Sequence, residues 1–413
     1  MENCKNLDSY ALGLSILFFF MWGFIFLDQL ALSIITPYMV KALSLSNGQV
    51  GLINMWQAIG SAIAGPLVAI WSDRIGYRKA LVVVAVLLTS IFSGLTTFAH
   101  SSTSLSIMRF LVGVAEGGIM PIAITMIRLS SSPHRFGRNV RIVYAGASVI
   151  AATLGPTMVT QLVAITSWNM AFLLISIPSF VLTFIIWIVA RESPRDVKIR
   201  SLDLSRGNLV ELFKYRNFIL CVLICIAFMG GLVIFAAFGP LYLTTVAHLS
   251  PQRMGYIWSL WGLVGILWQF TIPIISDYTG RKPAVVIFYL VCAVAPLFMY
   301  FFPTSTITLV VLIAVGGTIT SMTVFHASII PVESMPSSLT ATGSAIILGI
   351  GSLIGAFVTA ISGSLADHYG LPIVEMISAV VFILSALIAI FVIETNTRRA
   401  QRTDAADTEF VSS

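Results

Sequence analysis

The sequence predicts an all-α membrane protein with twelve transmembrane helices in two pseudo-symmetric six-helix bundles. Three observations carry that expectation. Of 413 residues, 58% are hydrophobic and only 10% are charged, whereas about a quarter of a soluble domain is charged. Apolar runs long enough to cross a bilayer recur along the whole chain. A short charged loop occurs twice, at equivalent places in the two halves.

So few charges cannot cover a water-facing surface for a chain of this length, so most of it is solvated by lipid. A spanning helix needs about 20 mainly apolar residues, because every backbone group must be hydrogen-bonded within the segment. Such runs lie near 13–36, 49–71, 80–99, 105–127, 140–162, 168–190, 217–244, 254–275, 284–302, 307–330, 340–363 and 372–393. The first is too long for a cleaved signal peptide and is read as a retained helix.

The formal net charge is +6, from 23 Lys and Arg against 17 Asp and Glu. Nucleic-acid binding is excluded by where the cations fall. All except Lys41, Arg109 and Arg253 lie in loops or span ends on one side of the predicted membrane. This is the positive-inside pattern, and it places both termini in the cytoplasm with an even number of spans. The four cysteines, Cys4, Cys221, Cys225 and Cys292, show no metal-ligand set, and the three inside spans are read as small packing residues. No nucleotide-binding P-loop, metal cluster or nucleophile triad is present, so the reading is not an enzyme and needs no cofactor.

The longest polar stretch between spans, 191–216, divides the chain into an N-terminal bundle (1–190), a cytoplasmic linker (191–216), a C-terminal bundle (217–397) and a disordered tail (398–413). After the second span the chain reads Ser72-Asp73-Arg74-Ile75-Gly76-Tyr77-Arg78-Lys79. After the eighth it reads Ser276-Asp277-Tyr278-Thr279-Gly280-Arg281-Lys282. Both are Ser-Asp-x-x-Gly followed by Arg-Lys, which points to an internal duplication. Gly76 and Gly280 allow a tight turn between antiparallel helices. Asp73 and Asp277, with Arg74, Arg78 and Arg281, are candidate gating charges that could hold one conformation closed and release it in another. They could equally anchor the loops.

This repeated loop resembles the signature of the major facilitator superfamily, although Ala69 and Pro273 stand where a Gly is usual. Met108-Arg109-Phe110-Leu111-Val112-Gly113-Val114-Ala115-Glu116-Gly117-Gly118-Ile119-Met120-Pro121 in the fourth span is similar to the corresponding segment of its anion:cation symporter branch. Arg191-Glu192-Ser193-Pro194-Arg195 is similar as well, and Gly363-Ser364-Leu365-Ala366-Asp367-His368-Tyr369-Gly370 fits the wider superfamily. The resemblance implies a secondary transporter whose halves enclose a central site near the bilayer midplane. It also implies a small organic anion as substrate. Gln29 follows Asp28 where many of the branch carry an Arg implicated in handling the anion.

An ionisable group within the bilayer is a functional candidate by default. Asp28, Arg109 and Glu116 are the three that stand out. Arg109 and Glu116 are seven residues apart, on one helical face and roughly 10 Å apart along the axis. A carboxyl group holds its proton more tightly when desolvated and less tightly beside a cation. Asp28 and Glu116 are therefore candidate proton-coupling groups, with Arg109 the partner of a carboxylate or of an anionic substrate. A structural ion pair between helices is the competing reading. Gln29, Gln57, Tyr144, Gln161, Trp261 and His326 are candidate substrate contacts, each of which could instead be an interhelical contact.

The expected function is proton-coupled symport of a carboxylate or sugar acid by alternating access. Its partners are protons, the substrate and the bilayer, in a monomer in a bacterial inner membrane. A proton-driven drug or metabolite exporter is the first alternative, and a non-transporting sensor on the same fold is the second.

Overall fold

The structure, a computed structural model, describes residues 2–192 and 210–395, and among these it contains helices and no strands. Most of the 191–216 linker, the 398–413 tail and the side chains of Cys4 and Asp73 lie outside what is described.

Among the described residues, eleven helices are long and apolar enough to cross a membrane: α1 Asp8–Leu43, α2 Asn47–Ser72, α3 Arg78–Phe98, α4 Ser102–Ser130, α5 Pro133–Ile165, α6 Trp168–Val189, α7 Arg216–Thr245, α8 Pro251–Thr279, α9 Arg281–Phe301, α10 Thr306–Ser334 and α11 Thr342–Tyr369. A shorter apolar helix, α12 Ile373–Ala389, occupies the twelfth expected place. Local sequence sets the starts. Ser46 and Gln49 form a capping box on α2, Ser101 and Ser104 form one on α4, and Ser167 caps α6. These side chains satisfy first-turn N–H groups that have no partner within the helix.

Three spans are interrupted in ways the apolar pattern does not show. The first α-helical part of α4 ends at Glu116 and a second starts at Ile119. A π-helix, Ala147–Leu154, sits inside α5. Another, Phe325–Ile329, sits inside α10, which is further broken around Val315–Gly317. Such wide turns are frequent at functional sites.

Large apolar side chains are exposed along the spans as well as packed in the core. Ile188, Phe270 and Leu67 are 78, 65 and 61% exposed, while Asp28, Arg109, Glu116, His326 and Glu375 are buried. Exposed apolar side chains with these ionisable groups buried inside the spans fit a chain whose solvent is lipid.

The chain packs as two compact units, and they do not follow the 190/217 division. One comprises Met1–Ser201, Ile234–Leu263 and Ala356–Val374, and the other Leu202–Val233, Val264–Gly355 and Glu375–Ser413. Parts of α7, α8 and α11 thus belong with the first six spans. Polar contacts within the first unit join them. Thr157 donates its N–H to Ser259 Oγ at 3.1 Å, and Gln161 Nε2 donates to Tyr256 Oη at 3.1 Å.

Candidate functional site

The first unit holds a buried polar cluster fed by five helices. Its framework is the contact between α2 and α4, which is made by backbone. A Cβ on Gly113 would stand 2.1 Å from the Gln57 carbonyl oxygen, and one on Gly117 would stand 2.6 Å from that of Ser61. The glycines thus admit a neighbouring helix and not a ligand. Their absence of side chains sets Gln57 beside Glu116. Gly113→Leu should cost at least the ~1–3 kcal/mol typical of overpacked cores, read as a lower melting temperature in detergent. Gly137→Leu, where a Cβ meets nothing within 4 Å, is the matched control and should melt like wild type.

Glu116 ends the first part of α4 and is 6% exposed. Gln57 Nε2 donates to its Oε1 at 3.2 Å, and Gln29 lies beside the same carboxyl. Its Oε2 has no hydrogen-bond partner. Two turns earlier, Arg109 is fully buried. Its Nη1 lies 3.1 Å from Asp28 Oδ2, its Nη2 donates to Thr96 Oγ1 at 3.2 Å, and its guanidinium lies 4.5 Å above the Phe172 ring. Ser93 Oγ donates to the other Asp28 oxygen. In this conformation Arg109 is paired with the Asp28 carboxylate. Asp28 and Gln29, adjacent in sequence, each reach one end of the α4 pair.

Four further expected site residues have surroundings of their own. Trp261 is buried in a ring stack, 4.9 Å from Trp258 and 5.9 Å from Phe235. Tyr144 is 48% exposed on α5. Gln161 is engaged by Tyr256 near the end of α5. His326 belongs to the second unit, where its Nδ1 lies 2.8 Å from Tyr289 Oη amid Phe228 and its Nε2 has no partner.

The two repeated loops are built alike. Gly76 and Gly280 take positive φ, 74° and 100°, the conformation for which glycine was expected. In each half a glutamate from beyond the sixth helix caps the third. Glu192 accepts the Lys79 N–H at 3.1 Å. Glu394 accepts the N–H groups of Arg281 at 2.8 Å and Lys282 at 3.1 Å. In the second half Arg281 adds ion pairs to Asp277 at 2.6 Å and Glu333 at 2.9 Å. Arg78 is 1% exposed, whereas Arg74 is exposed. Because Glu394 holds two helix-start amides and Glu192 one, Glu394→Gln should lower stability by about 1 kcal/mol and Glu192→Gln by less, read from melting temperatures.

Several of these residues escape the sequence reading. Ser93, Thr96 and Phe172 carry no pattern that marks them as partners of Asp28 and Arg109. Glu375 is different. It is an acid inside the twelfth apolar run, fully buried with neither oxygen partnered, and the rule that flags Asp28 and Glu116 flags it too.

The chain matches the profile of the Major Facilitator Superfamily over residues 13–359. It is 29% identical over 277 residues to the "Hexuronate transporter" of Bacillus subtilis (strain 168), a match covering 65% of each chain. It is 25% identical over 362 residues to the "Gallate transporter" of Pseudomonas putida, covering 80% of this chain and 78% of that one. Among solved structures it is similar to a bacterial homolog of the human lysosomal transporter Spinster, with a TM-score of 0.77, 17% identity, and coverage of 92% of this chain and 96% of the other. The twelve helices, the duplicated loop and the match over most of the length agree: the chain belongs to the major facilitator superfamily and is a multi-pass membrane transporter, not an enzyme.

Proposed function

We propose that the chain carries a small organic anion, a carboxylate or sugar acid, together with protons by alternating access of two six-helix halves, with both termini cytoplasmic. The observation that carries this reading is the pairing of two unlike carboxyl groups in one buried cluster. Asp28 is held by Arg109 and Ser93. Glu116 has one oxygen held by Gln57 and the other unpartnered. An unpaired buried charge is costly, so a movement that opens the cluster to water, or an arriving substrate, changes how readily Glu116 gives up its proton. Relatives named for hexuronate and gallate support an organic acid as cargo.

Proteoliposomes with an imposed inward proton gradient supply the test, with labelled glucuronate, gallate and benzoate as probes. Accumulation of one acid that vanishes when the gradient is collapsed supports the proposal. Extrusion of a lipophilic cation with no uptake of any acid would replace it by a proton-driven exporter. That second reading is favoured by one feature: Arg109 is already taken by Asp28, and Gln29 brings no cation in its place.

A further inference from the structure

Asp367 lies near the end of α11, at the helix end away from the basic loops. Its carboxylate reaches the first turn of α2, 320 residues away in sequence. Oδ1 accepts the Asn47 N–H at 2.7 Å and Oδ2 accepts the Gly48 N–H at 2.9 Å. First-turn amides have no acceptor in their own helix. The Ser46 cap of α2 serves the Gln49 N–H, so those of Asn47 and Gly48 are left to an outside group. An anion at that position also meets the positive end of the helix dipole.

The seam behind the carboxylate is made of small residues. A Cβ on Gly48 would stand 2.8 Å from Asp367 Oδ2 and 3.3 Å from Ser364 Oγ, and one on Gly363 would stand 2.4 Å from the Asn47 carbonyl oxygen. Its apolar part is Met55 packed on Ala356 and Ala360. Asp367 itself is exposed. When the seam parts, water can replace each of these polar partners, so opening strands no buried polar group. The Asp28–Arg109 pair is the opposite case, since its charges are enclosed by protein. The α5–α8 contacts in the same unit are likewise polar and small, through Thr157, Ser259, Gln161 and Tyr256, and those contacts contain no carboxylate.

We propose that Asp367 is the latch of the gate on the side opposite the basic loops. Its carboxylate on the α2 N-terminus holds α2 and α11 together and releases them when the binding site opens to that side. The inference rests on the alternating-access part of the proposed function and on no particular substrate.

A buried reporter in the seam tests it. Met55→Cys is introduced into the full-length chain in nanodiscs, where both faces are accessible, and N-ethylmaleimide modification of the introduced thiol is followed by peptide mass spectrometry. Adding Asp367→Asn should raise the modification rate about tenfold, the effect of weakening a charge-assisted contact, while Asp367→Glu should stay near the parent rate. An unchanged rate in Asp367→Asn overturns the latch, and a lower melting temperature with that unchanged rate identifies a static helix cap. If no variant is ever modified, the seam does not open and alternating access fails with it. Because labelling needs no substrate, failure to move any organic acid leaves this result standing.

Discussion

Asp28→Asn is expected to abolish gradient-driven uptake and to destabilise the protein by about 3–5 kcal/mol, because it leaves the Arg109 cation buried without its counter-charge. Arg109 is fully enclosed, and its other neighbours are the Thr96 hydroxyl and the Phe172 ring, neither of which neutralises a charge. Arg109→Gln should be similarly damaging, since it strands Asp28 with Ser93 alone. The double variant separates structure from function. Two neutral amides can hydrogen-bond each other, so Asp28→Asn with Arg109→Gln should regain most of the lost melting temperature. Uptake should remain absent. Recovery of uptake at the wild-type rate in the double variant would make the pair a fastener between α1 and α4 and remove Asp28 from proton coupling.

Glu116→Gln should separate exchange from accumulation. The substitution keeps the shape of the side chain and keeps an oxygen for Gln57 Nε2, which now donates to it at 3.2 Å, so folding should be little changed. It replaces a carboxyl group, which binds and releases a proton, by an amide, which does not. One pH unit supplies about 1.4 kcal/mol per coupled proton, or about tenfold accumulation. Wild type should concentrate the acid by that order, and the variant should only equilibrate it while still exchanging labelled for unlabelled substrate across the membrane. Retention of full accumulation in Glu116→Gln would move the proton site elsewhere. Glu375 would then be the first candidate, because it too is a buried carboxyl with no partner for either oxygen.

The helix-pairing glycines show how far a sequence reaches. Gly113 and Gly117 on one face of a span announce a close approach, but a stripe of small residues does not say whether a ligand or a helix arrives. The structure brings α2, through Gln57 and Ser61. Gly76 and Gly280 were legible in full, since a turn between antiparallel helices next to Ser-Asp-x-x-Gly needs the φ that only glycine adopts freely. The duplicated loop was legible too, but its acid caps were not. Glu192 and Glu394 each lie 113 residues from an amide they hold, and nothing local marks them.

By itself the sequence determined the helical membrane architecture, the twelve places where helices stand, and three intramembrane charges, Asp28, Arg109 and Glu116, while Glu375 went unread although the same rule flags it. Those follow from local rules: lipid demands internally bonded apolar segments, and a charge inside such a segment is conspicuous wherever it sits. Tertiary structure alone decided the pairings. Asp28 takes Arg109, Gln57 takes Glu116, and Asp367 takes the start of α2, across 81, 59 and 320 residues of chain. It also decided that His326 and Trp261 stand among aromatic rings. Pairing depends on which helices pack and in what rotation. That is set by side-chain fit summed over whole helix faces, and no single residue in the chain encodes it.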